Sequence, residues 1–180
     1  IGVVGPGTVG LRGASQGIIP KIYEVNCDPS DLPASWQNYN MFRTLVFTRP
    51  YTSELRMSQQ GALIEWVRRG GNLVVFVGTD YGRVKSSFWR ELVPTSWDGT
   101  RIIDDLYALT RFNEKRIRLP GRNPVSVLRQ APGVTLIKDM DGTPLVHKAP
   151  AGRGTVTFIT FGADAAGWRR WQEKDVFFLK

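Results

Sequence analysis

Between Thr44 and Gly78 the chain carries an apolar strand, an amphipathic helix and a second apolar strand in direct succession. Nothing else in the sequence limits the fold as strongly. Thr44–Thr48 (TLVFT) and Asn72–Gly78 (NLVVFVG) are almost wholly apolar and lack the alternation of a half-exposed strand. Strands of that kind are buried on both faces, as in a parallel sheet covered by helices. Between them Ala62, Leu63, Trp66 and Val67 recur at helical spacing. Ser58 reads as the N-cap, Arg68-Arg69 occupy the last turn where cations suit the helix dipole, and Gly70-Gly71 supplies the exit. Such a crossover is right-handed and joins parallel strands.

Ile1–Gly5 and Lys21–Cys27 read as two further strands, the second closed by Asp28-Pro29. Phe88–Val93 reads as a short helix ended by Pro94. Residues 100–130 show no clear period. Val134–Lys138, Thr143–Lys148 and Gly154–Phe161 then read as strands joined by hairpin turns at Asp141-Gly142 and Ala149–Arg153. Trp168–Phe178 reads as a terminal helix, with Trp168 and Trp171 packed on the sheet rather than forming an exposed stripe. The expected fold is α/β: a flavodoxin-like three-layer sandwich with a central parallel sheet and an antiparallel edge.

The 180 residues suit one domain, and no repeat, linker or low-complexity segment divides residues 1–180. Because the chain opens with Ile1 directly into a strand-like run, a domain excised from a longer chain is expected. Any signal or anchor would then lie outside it. No apolar run approaches the roughly 18 residues of a membrane-spanning helix. The 24 Lys and Arg against 16 Asp and Glu give a net charge of +8. These basic residues are scattered in pairs rather than collected on one face, so specific nucleic-acid binding is not expected. The lone Cys27 excludes an internal disulfide and a cysteine-based zinc site; it reads as a small buried hydrophobe.

Two glycine-rich turns carry the candidate chemistry. Gly5-Pro6-Gly7-Thr8-Val9-Gly10 fits G-x-G-x-x-G directly after a strand. In a dinucleotide site, Gly5, Gly7 and Gly10 would let the backbone approach a pyrophosphate, and Glu24 would take the ribose. Against this, Leu11–Pro20 contains Gly13, Gly17 and Pro20 and makes a poor phosphate-binding helix. Glu24 also precedes the end of its strand. The second turn, Gly78-Thr79-Asp80-Tyr81-Gly82, has the G-x-Nuc-x-G spacing of a nucleophile elbow with Asp80 at its centre.

Leu32-Pro33 with Trp36 and Tyr39, the strand TLVFT, the segment Gln60–Val67 with Gly70-Gly71, the strand NLVVFVG and the later Gly152-Arg153-Gly154 with TVTFITF together resemble the class I glutamine amidotransferase-like domains. The nearest likeness is to their degenerate branch in bacterial membrane-associated proteins. It is specific over residues 32–82 and 143–164. The resemblance implies the elbow cysteine at Asp80, the histidine at Gly162 and the glutamate at Asp164. With neither thiolate nor base there is no acyl-enzyme route. The only histidine, His147, has no acid two residues on and reads as structural.

The resemblance therefore implies a non-catalytic module for binding or assembly, working with a protein partner or with other domains of the same longer chain. An extracytoplasmic or membrane-associated setting is part of that implication, and no cofactor or metal is called for. Ligands of open α/β sheets sit at the carboxyl ends of the strands, which makes Gly78, Thr79, Asp80, Tyr81, Arg83 and Asp164 the ligand-binding candidates. Two carboxylates also suit a hard cation. The commoner use of Asp80 and Asp164 at such turns is to cap the following helices. The competing readings are a dinucleotide-binding domain using Gly5–Gly10 and a hydrolase using Asp80.

Overall fold

A computed structural model describes residues 1–6, 9, 10, 23–112, 114, 116–172, 174 and 178. A seven-stranded sheet runs through the molecule. In chain order its strands are β1 (Gly2–Val4), β2 (Val25–Cys27), β3 (Thr44–Phe47), β4 (Asn72–Phe76), β7 (Val134–Lys138), β8 (Pro144–Ala151) and β9 (Gly154–Ile159). Their spatial order is β2-β1-β3-β4-β9-β8-β7. The first five in that order are mutually parallel, and β8 and β7 add an antiparallel edge. A separate antiparallel pair is formed by β5 (Ser96–Asp105) and β6 (Pro120–Gln130). The mixed α/β class, the central parallel strands and the antiparallel edge all match the sequence reading.

The apolar run of β4 divides its side chains between two cores. Leu73 and Val75 join a cluster with Leu63, Trp66, Val67 and Trp89, whereas Val74 and Phe76 join one with Phe161, Trp168 and Trp171. Alternate residues of a strand point to opposite faces, so a run apolar at every position needs cover on both. The helix α1 (Met57–Arg68) covers the first face. It begins one residue before Ser58, with Arg56 at the N-cap, so Ser58 is not the cap. Its start is held instead by Gln59, whose Oε1 accepts from the Arg56 amide at 2.8 Å. At its end the Gly71 amide reaches the Trp66 carbonyl at 3.0 Å, the glycine exit that was expected.

Four sequence readings need correction. The second strand spans only Val25–Cys27, leaving Glu24 outside it; Lys21 and Ile22 lie outside the described residues. The expected helix Trp168–Phe178 is interrupted: α5 is Ala166–Arg170 and Trp171 leaves it with extended backbone, Lys174 and Phe178 are helical again, and residues 173 and 175–177 lie outside the described residues. Trp168 and Trp171 are nonetheless buried, so the exposed stripe is excluded. The antiparallel strand β8 runs on to Ala151, which tightens the following turn to Gly152-Arg153. The unperiodic stretch contains the long hairpin β5–β6 and the helix α4 (Tyr107–Phe112).

Candidate functional site

Because β4 and β9 are parallel neighbours, the turns that follow them emerge side by side at the carboxyl edge of the sheet. Gly78 ends the β4 segment with φ +57, and a Cβ added there would lie 3.4 Å from the Gly162 Cα. The backbones of the two turns are therefore in contact. The contact is between Gly78 and Gly162; Asp80 lies two residues further along the first turn, at the start of the helix that follows it. The Asp164 carboxylate folds back over the space that a Gly162 side chain would need.

The hairpin closes over this junction. The Ser126 hydroxyl donates to the Gly78 carbonyl oxygen at 2.6 Å, and the Ser126 amide donates to Thr160 at 2.8 Å. Val125 bridges Phe161 beside them. Asn123 fastens the far part of β6, donating to the Ile103 carbonyl at 3.1 Å and accepting from the Gly167 amide at 3.1 Å. Both polar side chains are fully buried, and burial is tolerable because each is bonded.

Asp80 begins the short helix α2 (Tyr81–Val84), yet its side chain makes no capping hydrogen bond. Asp164 does not stand at the cap of α5, where Ala165 lies. The capping role expected of both is thus not what the structure shows. Thr79 and Arg83 are exposed, and Tyr81 is half-buried under the Lys85 ammonium at 5.1 Å. Among the described residues no group of three or more His, Cys, Asp or Glu side chains gathers to hold a metal ion.

At the glycine turn after β1, the Thr48 hydroxyl donates to the Val4 and Pro6 carbonyls at 3.2 and 3.3 Å. Glu24 stands at the amino end of β2 and accepts from the Val9 amide at 3.0 Å. A ribose-binding acid belongs at the opposite, carboxyl end. Gly7 and Leu11–Pro20, the expected phosphate-binding helix, lie outside the described residues; Gly10 has φ +68.

His147 sits in β8 between Thr135 and Phe158 and is buried. Its Nδ1 pairs with the Thr135 hydroxyl and its Nε2 with the Pro132 carbonyl, each at 3.0 Å. Both ring nitrogens are engaged, as a structural histidine requires. It lines a cleft of about 580 Å³ between the hairpin and the antiparallel edge, with Arg129, Gln130 and Thr135. Cys27 is half-buried rather than buried, and partial burial pushes its thiol pKa up, away from reactivity.

Two residues on the carboxyl edge were missed in the sequence: Arg49 and Tyr51, which follow β3. The Arg49 and Arg83 guanidinium carbons lie 5.8 and 4.3 Å from the Tyr51 ring centre. Their signal was positional, since any residue just beyond a parallel strand belongs to the ligand-facing edge.

The molecule is thus a mixed α/β domain whose open edge gathers the turns after β3, β4 and β9. No family model matches the sequence, and no curated protein matches it. Solved structures do. A cytoplasmic protein of Salmonella typhimurium aligns with TM-score 0.57 and 13% identity, over 83% of this chain and 74% of that one. A second cytoplasmic protein, from strain LT2, gives TM-score 0.57 and 10% identity over 87% and 78%. A GH42 β-galactosidase from G. stearothermophilus gives TM-score 0.54 and 14% identity over 88% of this chain. The chain spans only 24% of that enzyme's length. At these identities the likeness is one of fold.

Proposed function

We propose that this chain is a non-catalytic, amidotransferase-like module that serves binding or assembly within a larger protein. Its layering on this reading is flavodoxin-like, with the two cores divided by the sheet. One observation carries the proposal: the turns after β4 and β9 meet at Gly78 and Gly162, and neither turn carries a Cys or a His. Gly78 lies against Gly162, and Ser126 occupies the Gly78 carbonyl. A nucleophile needs a base within hydrogen-bond reach, and glycine supplies none. The alignment with about a quarter of a β-galactosidase supports a fold that recurs as part of longer chains.

Partners on this reading are a protein or the remaining domains of the same chain, with ligands meeting Gly78, Thr79, Asp80, Tyr81, Arg83 and Asp164. The membrane-associated setting follows from the family resemblance alone. No helix among the described residues is long and apolar enough to cross a membrane.

Thermal unfolding with saturating NADH or NADPH separates the module from a dinucleotide-binding domain. A ligand at a hundredfold excess over its Kd adds about 2.7 kcal/mol to the folded state. The module keeps its midpoint; a clear rise makes the Gly5–Gly10 turn the functional site instead.

A further inference from the structure

Two guanidinium groups converge on one aromatic ring at the carboxyl edge of the sheet. Arg49 follows β3 and Arg83 lies in α2 beyond β4, and both are exposed. Their guanidinium groups lie by the Tyr51 ring, with the Arg49 and Arg83 guanidinium carbons 5.8 and 4.3 Å from its centre. Among the described residues neither pairs with a carboxylate, whereas Arg68, Arg69, Arg101, Arg118 and Arg129 each do. Asp80, in the same turn as Arg83, forms no ion pair with it or with Arg49. The backbone before the half-buried Tyr51 is anchored: the adjacent Pro50 carbonyl accepts from the buried Trp89 indole at 3.1 Å.

A guanidinium lying over a ring uses its face and leaves its N–H edge free. That edge matches phosphate oxygens in a bidentate fork, and orienting the group beforehand lowers the entropy lost on binding. Two uncompensated positive charges match one dianion; a monocarboxylate would leave one of them unmatched. The position also agrees with the rule that open α/β sheets bind ligands beyond the carboxyl ends of parallel strands.

We propose that Arg49 and Arg83, held by Tyr51, form a binding site for the phosphoryl dianion of a small soluble phosphomonoester. The proposal rests on the reading of this edge as the ligand-binding edge, and it supplies the ligand class.

Calorimetric titration of the intact chain with inorganic phosphate and with glycerol phosphate, at fixed ionic strength, tests it. Saturable binding is expected, weakened at least tenfold by Arg49→Ala or Arg83→Ala and weakened by Tyr51→Leu. Arg49→Lys keeps the charge but loses the fork, and is expected to restore only part of the affinity. The exposed Arg122→Ala, on β6, serves as the control for overall charge and is expected to leave affinity unchanged. Circular dichroism establishes that each variant is folded.

The proposal is overturned by titrations that do not saturate, by equal weakening in Arg122→Ala, or by tighter binding of succinate than of phosphate. Binding confined to vesicles of phosphatidic acid and phosphatidylcholine also overturns it, because the site would then read a membrane surface. A failed titration leaves the non-catalytic module in place, since that reading is judged by turnover.

Discussion

The Ser126 hydroxyl donates to the Gly78 carbonyl oxygen at 2.6 Å, joining the hairpin β5–β6 to the turn that ends β4. The link crosses from one sheet to the other at the point where the candidate site begins. Ser126→Ala would leave a carbonyl without its partner in a buried setting. We expect a loss of about 1–2 kcal/mol in urea unfolding. An unchanged midpoint would show that the hairpin is held without this bond.

Gln59 is the second buried polar tie. Besides accepting from Arg56, its Nε2 donates to the carbonyls of Leu32, Ser30 and Pro29 at 2.6, 3.0 and 3.3 Å. It thereby fixes the 3₁₀ turn Pro29–Asp31 to the start of α1. Gln59→Leu keeps much of the volume but removes every bond, so we expect a loss of about 3 kcal/mol in thermal unfolding. A loss below about 1 kcal/mol would mean that solvent replaces the amide.

Gly154 opens β9 directly beneath the end of α1. A Cβ there would collide with the carbonyl oxygens of Val67 and Gly71. Gly154→Ala must push the helix end from the sheet and is expected to cost about 2 kcal/mol or more. Wild-type stability in this variant would contradict the close approach of strand and helix.

Tyr39 predicts the alkaline limb of stability. Its hydroxyl donates to the Pro33 carbonyl at 2.9 Å, and burial raises its pKa well above the ordinary 10.0. The unfolded chain then releases the proton first. The stabilisation is whole below pH 10 and is lost as pH rises through the folded value. Cys27, whose pKa is raised from 9.0, adds a slope of the same sign, so the comparison belongs in a Cys27→Ser background. There Tyr39→Phe should lose about 1 kcal/mol at neutral pH and flatten the fall above pH 10. Equal alkaline slopes with and without Tyr39 would refute the assignment.

The parallel half of the fold was legible because its strands are buried on both faces. Val74 and Val75 face different cores, yet both must be apolar, and that is visible in the residues themselves. The hairpin was not legible. In β6 the inward positions include Asn123 and Ser126, whose burial depends on partners in Ile103, Gly167 and Gly78. In β5 only Trp97 and Ile103 are buried, so apolar alternation hardly appears.

The site divided in the same way. The meeting of the Gly78 and Gly162 turns follows from strand order, and the sequence reading placed Asp80 and Asp164 at that same carboxyl edge. The folding back of Asp164 and the sharing of Tyr51 by two arginines depend on side-chain directions that spacing does not encode. Glu24 lies near the distance a ribose acid needs but ahead of its strand, as the sequence order Glu24-Val25-Asn26-Cys27 already indicated.

We propose that the turns after β4 and β9 hold no reactive pair, and ammonia release from L-glutamine by the intact chain and by Asp80→Asn tests this most directly. No turnover above the protein-free rate is expected in either. Turnover in the wild type that disappears in Asp80→Asn would contradict it and make Asp80 a catalytic residue.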